Sequence, residues 1–177
     1  NSSAASDVYK RQIVDYLLYV DKKTGLPNRE KLNIYIGEMA GKVLPEAFTC
    51  FTLNLDNLSE LTKRFGYTVG DGVLKDFAGL VQLMGDTEGM RGYNGIGRFV
   101  VFFEECSSKK AAAMIRILDN QVEEYNSLNP EYPIRYTAAW ATTEETDTYE
   151  IRELLRLSQK KWKQMEKEKK DKTEEET

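Results

Sequence analysis

Carboxylates hold divalent cations against phosphate groups, and this chain places few of them where such chemistry would need them. Asp56 follows Asn54 at the end of the apolar run Phe48–Leu55, Asp71 follows Gly70 ahead of a helical stretch, and Glu104-Glu105 close a second apolar run. Between Gly89 and Phe103 the chain reads Gly-Met-Arg-Gly-Tyr-Asn-Gly-Ile-Gly-Arg-Phe-Val-Val-Phe-Phe, without one Asp or Glu. Asn94-Gly95 in that stretch is the strongest short turn signal. The apolar run Phe99–Phe103 after it predicts a central strand covered on both faces. Where the tip of this hairpin could present acid it presents Gly97 and Arg98. The chain has no histidine, which removes the commonest general base, the usual nucleophilic triads and most zinc sites. Cys50 and Cys106 are the only cysteines and make no disulfide framework. Cys50 reads as a small buried hydrophobe in a reducing cytoplasm.

Hydrophobic period and caps place the helices and strands that carry these residues. At 177 residues the chain predicts one domain with short appendages. A net charge of -4 argues against a nucleic-acid-coating or polybasic membrane protein. No apolar run is long enough to span a bilayer, and there is no secretory signal. Asn1 to Ser6 reads as disordered, and the opening through Gln12 as a leader outside the fold. Ile13, Leu17 and Val20 follow helical spacing, in a short helix expected to dock on the domain or pair with an upstream element. Asn28 caps the next helix, with Leu32, Tyr35, Ile36 and Met39 on one face. Phe48 to Leu55 is a strand. A helical region broken near Gly66 to Gly72 follows, with Leu58, Leu61 and Phe65 before the break and Val73, Leu74, Phe77 and Val81 after it. Strands are predicted near Gly89–Tyr93 and Arg98–Glu104. Ser107 or Ser108 caps a helix carrying Met114, Leu118, Val122 and Tyr125, and Ile134 to Thr143 is a strand. Tyr149 to Lys170 is a helix, and the charged tail after Lys167 frays into solvent. The order β-α-α-β-β-α-β-α predicts an α/β sandwich (α+β) with a ferredoxin-like, palm-type core: a mainly antiparallel sheet flanked by helices. Residues 1–20 form leader and helix, 21–166 the domain and 167–177 the tail.

Several short motifs fall in order on these elements. They are Asp21-Lys-Lys-Thr-Gly-Leu-Pro-Asn-Arg29, Asn54-Leu-Asp56, Phe65-Gly66-Tyr67, Gly70-Asp71-Gly-Val-Leu74 and Gly95-Ile-Gly-Arg-Phe99. Together they resemble the GGDEF family, the diguanylate cyclase domain of bacterial cyclic-di-GMP signalling, over about Asp21 to Lys170. The resemblance implies a nucleotidyl cyclase core in which two domains face each other, each holding one GTP. Carboxylates there bind Mg²⁺, which neutralises the triphosphate and activates the attacking hydroxyl. This chain departs from that pattern. Lys23 replaces a Leu of the opening motif, and Asn54 stands where the family has a metal-binding Asp. Gly97 and Arg98 replace the acidic pair of the turn. Thr62 aligns with a guanine-contacting Asn and Met165 with a phosphate-contacting Lys, while Lys169 stands near a basic position. The family's product-inhibition motif R-x-x-D aligns with Asp86-Thr-Glu-Gly89 and is absent. Of the nucleotide-contacting set only Asp71 remains.

A guanidinium about 4 Å from a divalent ion, at an effective dielectric near 20, costs at most roughly 8 kcal/mol. An Arg98 swung outward avoids that cost and supplies no ligand. Each retained group also has a structural reading. Asp71 after Gly70 suits a helix N-cap, alone or together with guanine contact. Asp56 suits a cap or a surface group. Arg98 suits a solvated hairpin tip, or a charge that replaces the metal at a phosphate. Trp140, where the family has a small residue, predicts different packing of the last core strand, and Trp162 a core position. The sequence thus predicts a degenerate domain with no catalytic residues and no metal cofactor, a regulatory or interaction module of a larger signalling protein. Its partners would be the other domains of that protein, or a second domain in a homodimer or heterodimer, without nucleic acid or direct membrane insertion. The alternative is a GTP receptor using Asp71, Thr62, Asn54 and Arg98. Only there, or in a residual cyclase, would Mg²⁺ enter with GTP.

Overall fold

The structure is a computed structural model that describes residues 2–85 and 88–177. Eleven elements follow one another: α1 (Ser2–Tyr19), α2 (Arg29–Met39), β1 (Thr49–Leu55), α3 (Leu58–Phe65), α4 (Tyr67–Gln82), β2 (Gly89–Tyr93), β3 (Arg98–Phe103), α5 (Ser108–Leu128), β4 (Tyr136–Thr142), α6 (Thr143–Thr146) and α7 (Ile151–Glu175). The four strands lie in the order β2-β3-β1-β4, and every pairing is antiparallel. This is the split β-α-β arrangement, with β3 inserted between β1 and β2.

Strand alternation divides the core in two. Phe51, Leu53 and Leu55 of β1 and Phe99, Val101 and Phe103 of β3 pack with residues of α3, α4 and α5. Cys50, Val100, Phe102 and Ala141 on the other face pack with Leu32 and Ile36 of α2 and Ile151 and Leu154 of α7. β3 is covered on both faces and is central, which is why its sequence is an unbroken apolar run. Trp162 is buried at 5 % exposure. Trp140 is half-buried, tilted against Phe51, with its indole N–H donating to Ser108 Oγ at 3.3 Å.

Two caps sit where the sequence puts them. Asn28 Oδ1 accepts from the Lys31 amide and Ser107 Oγ from the Lys110 amide, each satisfying an otherwise unpaired first-turn N–H. Other expectations are corrected. The helical break is confined to Gly66, whose φ of +93° turns the chain between α3 and α4. α4 starts at Tyr67, so Asp71 lies inside it and caps nothing. The opening is helical from Ser2, and α1 buries none of its residues; its C-terminal end meets the start of α2, where Asn28 donates to the Leu18 carbonyl at 2.8 Å and Lys31 lies over the Tyr19 ring. α7 continues through the charged segment to Glu175 instead of fraying after Lys167. No helix among the described residues is long and apolar enough to cross a membrane.

Candidate functional site

Antiparallel register brings three strand ends together. Asn54, near the end of β1, faces Arg98 at the start of β3 and Thr137 near the start of β4. The C-terminal half of α7 closes over them. Asp56, just past β1, is the hub. Its Oδ1 accepts from Asn54 Nδ2 at 2.8 Å and its Oδ2 from Thr137 Oγ1 at 2.6 Å. The same Thr137 hydroxyl accepts from Lys169 Nζ at 2.8 Å, and Lys169 also donates to the Tyr136 carbonyl at 3.1 Å. A continuous hydrogen-bonded chain therefore runs from α7 to β1: Lys169, Thr137, Asp56, Asn54.

Beside this chain lies a cavity of about 380 Å³, walled by Asn54, Asp56, Thr137, Glu166, Lys169, Lys170, Thr173 and Glu174. A second cavity of about 260 Å³ shares Asn54, Asp56 and Glu166 and adds Leu58, Ser59, Ile96, Arg98 and Trp162. Arg98 turns to the α7 side, its guanidinium 5.4 Å from the centre of the Trp162 ring. Such cation–π stacking is worth about 0.5–1 kcal/mol at an exposed site. The expected solvated tip is thus exposed, yet it rests on the indole.

The hairpin turn has three consecutive residues at positive φ: Gly95 at +82°, Ile96 at +56° and Gly97 at +75°. Arg29 clamps its base, donating from Nε to Asn94 Oδ1 at 3.2 Å and from Nη2 to the Asn94 carbonyl at 2.6 Å. The Gly97 amide donates inward to the Tyr93 hydroxyl at 2.9 Å, and the Gly97 carbonyl accepts from the Leu55 amide at 2.8 Å. Burial raises the Tyr93 phenol above its ordinary value, with the Gly97 amide opposing that shift. A Cβ on Gly97 would lie 3.1 Å from the Leu55 carbonyl oxygen. The turn is therefore shaped around glycine where the GGDEF pattern has aspartate.

A hard divalent cation takes several oxygen ligands at once. At the strand end Asp56 has both oxygens hydrogen-bonded, Asn54 turns its N–H toward it and Arg98 is a cation, while Glu166 in the same cavity wall pairs with Lys170. Among the described residues no group of three or more His, Cys, Asp or Glu could hold a metal ion.

The four candidate residues divide into two pairs. Asn54 and Arg98 share the smaller cavity; Asp71 and Thr62 line neither cavity. Asp71 pairs with Lys23 Nζ at 3.2 Å, with both side chains well exposed. Thr62 underlies the helix crossing: a Cβ on Gly70 would stand 2.3 Å from its Oγ1. Met165 is 38 % exposed and lines a separate small cavity with Trp140. Asp86 and Thr87 of the expected inhibition motif lie outside the described residues. The sequence reading missed Thr137, Glu166 and Lys170, because their relevance depends on β1–β4 register and the lie of α7. The Lys169 signal was present, but the frayed tail expected there hid it.

The comparisons agree with this geometry. The family model described as diguanylate cyclase, GGDEF domain matches residues 18–172. No curated protein matches the chain. Among solved structures, a diguanylate cyclase/phosphodiesterase from Caldicellulosiruptor saccharolyticus is similar at TM-score 0.65 and 18% identity, over 86% of this chain and 91% of that one. The active GGEEF domain of a diguanylate cyclase from Vibrio cholerae is similar at TM-score 0.62 and 19% identity, over 70% and 78%. The S helix-GGDEF-EAL segment of Vibrio cholerae LapD, bound to c-di-GMP, is similar at TM-score 0.63 and 14% identity, over 78% of this chain. Only 32% of that LapD segment is covered, so this chain spans about a third of it. With the family model covering most of the chain and the same fold in these structures, this chain belongs to the GGDEF domain family of diguanylate cyclases.

Proposed function

We propose that this domain makes no cyclic di-GMP and serves as a regulatory or interaction module of a larger cyclic-di-GMP signalling protein. One observation carries the reading. The strand end offers a single carboxylate, Asp56, whose two oxygens are already taken by Asn54 and Thr137, with Arg98 across from it. Three further features support it: a turn that packs around Gly97, the pairing of Asp71 with Lys23, and Met165 at the phosphate-contact position. The partners are the other domains of the same protein or a second GGDEF domain. LapD, whose S helix, GGDEF and EAL parts are joined in one chain, is an example of that context. The deciding experiment incubates the purified protein with GTP and Mg²⁺, and separately with Mn²⁺, and separates the nucleotides by chromatography. The expected outcome is unchanged GTP; GTP-dependent cyclic di-GMP would overturn the reading.

A second reading is a guanine-nucleotide receptor without turnover. The cavity beside Lys169 and Lys170, which shares Asn54, Asp56 and Glu166 with the one beside Arg98, favours it. There Asn54 and Arg98 would meet the phosphates, and Asp71 would have to leave Lys23 to reach a base above Thr62. Calorimetry with GTP separates the two readings. Heat that survives EDTA supports the receptor, with Arg98 as the neutralising charge. Heat only with Mg²⁺ would show that a metal site forms after all. No heat in either buffer leaves the interaction module.

A further inference from the structure

We propose that the turns of α7 beyond Trp162 are a strap laid across the start of β4, with Lys169 as its latch. α7 joins the core through Ile151, Leu154, Ser158 and Trp162, and none of its later residues is buried. The stretch from Lys163 to Glu175 is therefore a helix without a core face, and an isolated helix of that length is marginal in water. Pairs such as Lys170–Glu166 at 3.2 Å support its helicity but do not attach it to anything. Attachment comes from Lys169, whose ammonium reaches the Thr137 hydroxyl at 2.8 Å and the Tyr136 carbonyl at 3.1 Å on β4.

The cavity wall identifies the device. Asn54, Asp56 and Thr137 come from the sheet side; Glu166, Lys169, Lys170, Thr173 and Glu174 all come from the strap. The open cleft between them therefore exists only while the strap is down. Lifting it bares Thr137, which is 1 % exposed with the helix in place, and the start of β4. The latch is a charge-assisted bond onto a hydroxyl that in turn holds Asp56, so whatever claims Lys169 or Asp56 also moves the helix. This goes beyond the absence of cyclase activity: it is a two-position element that sets access to Thr137 and the start of β4.

Hydrogen–deuterium exchange on the full chain, with no nucleotide present, tests it. Lys169→Ala and, from the other side of the latch, Thr137→Val should each speed exchange across residues 163–175 about fivefold, the loss expected for one hydrogen bond. Lys167→Ala removes the same charge from an exposed position outside the latch and should leave those rates unchanged. Peptides of β3 should keep their protection in every variant, which shows that the fold is intact. If Lys169→Ala exchanges like Lys167→Ala, or if the strap of the unmodified protein is already unprotected, the latch does not exist. Product from GTP would sink the inactive-module reading and leave this result untouched.

Discussion

At Gly97 the φ of +75° and the 3.1 Å that would separate an added Cβ from the Leu55 carbonyl oxygen exclude an easy return of aspartate to the hairpin turn. A side chain in left-handed backbone costs about 1–2 kcal/mol. Gly97→Asp should therefore lower the unfolding free energy by that amount, which equilibrium denaturation in urea will measure. The electrostatics at the strand end can be reversed more directly. Asn54→Asp with Arg98→Glu removes the guanidinium and adds two carboxylates around Asp56. Calorimetry should then detect Mn²⁺ binding in the double variant and none in the parent, since several oxygen ligands hold a hard cation where one engaged carboxylate does not. The readings of Asp71 and Asp56 as caps fail here for one reason. A cap is a property of a helix start, and those starts fall at Gly66 and Asn57.

Packing between elements depends on a few small residues. α4 crosses α3 at Gly70, where the Thr62 hydroxyl occupies the space a methyl would need, 2.3 Å from the ideal Cβ. Gly70→Ala should destabilise by about 1–3 kcal/mol through overpacking. Thr62→Ala alone should cost little, and the pair together should recover most of the loss; a double-mutant cycle by chemical denaturation reads this coupling. At the other end of α4, Arg91 stacks 4.8 Å over Phe103 and donates to the Met84 carbonyl at 2.5 Å and the Gly89 carbonyl at 3.3 Å. It ties the helix end to the β2–β3 pair. Burial lowers its pKa from the ordinary arginine value.

For the whole molecule, the pH dependence of stability lies on the alkaline side. With no histidine in the chain, no side chain ordinarily titrates between pH 5 and 8. Burial pushes the Cys50 thiol up from 9.0 to about 12, and burial, then Glu104, pushes the Tyr35 phenol up from 10.0 to about 12. Both groups stay protonated longer in the folded chain than in the unfolded one. The stability they contribute is thus fully present below about pH 9 and is lost as pH rises from 9 through 12. Melting temperature should be level through neutral pH and fall above about 9. Cys50→Ala should make that fall shallower without abolishing it, because burial also raises the Cys106 thiol from its ordinary value, as thermal scans across that range will show.

The features legible in the chain without its fold are local in origin. The unbroken run Phe99–Phe103, the Asn94-Gly95 turn, the caps Asn28 and Ser107 and the helical spacing of Met114, Leu118 and Val122 are short-range signals. Each reports a period or a hydrogen bond within a few residues, and together with the spaced motifs they specify the palm-like order of elements. They also made plain that the hairpin carries no acid. Tertiary structure alone decided how the remaining polar groups are used. Lys169 and Thr137 are 32 residues apart and Thr137 and Asp56 are 81 apart, so neither contact leaves a trace in local pattern. The charged segment read as a fraying tail because it has no apolar face. Three-dimensional packing gives it a hydroxyl and a carbonyl on the edge strand to hold, and so turns it into a wall of the site.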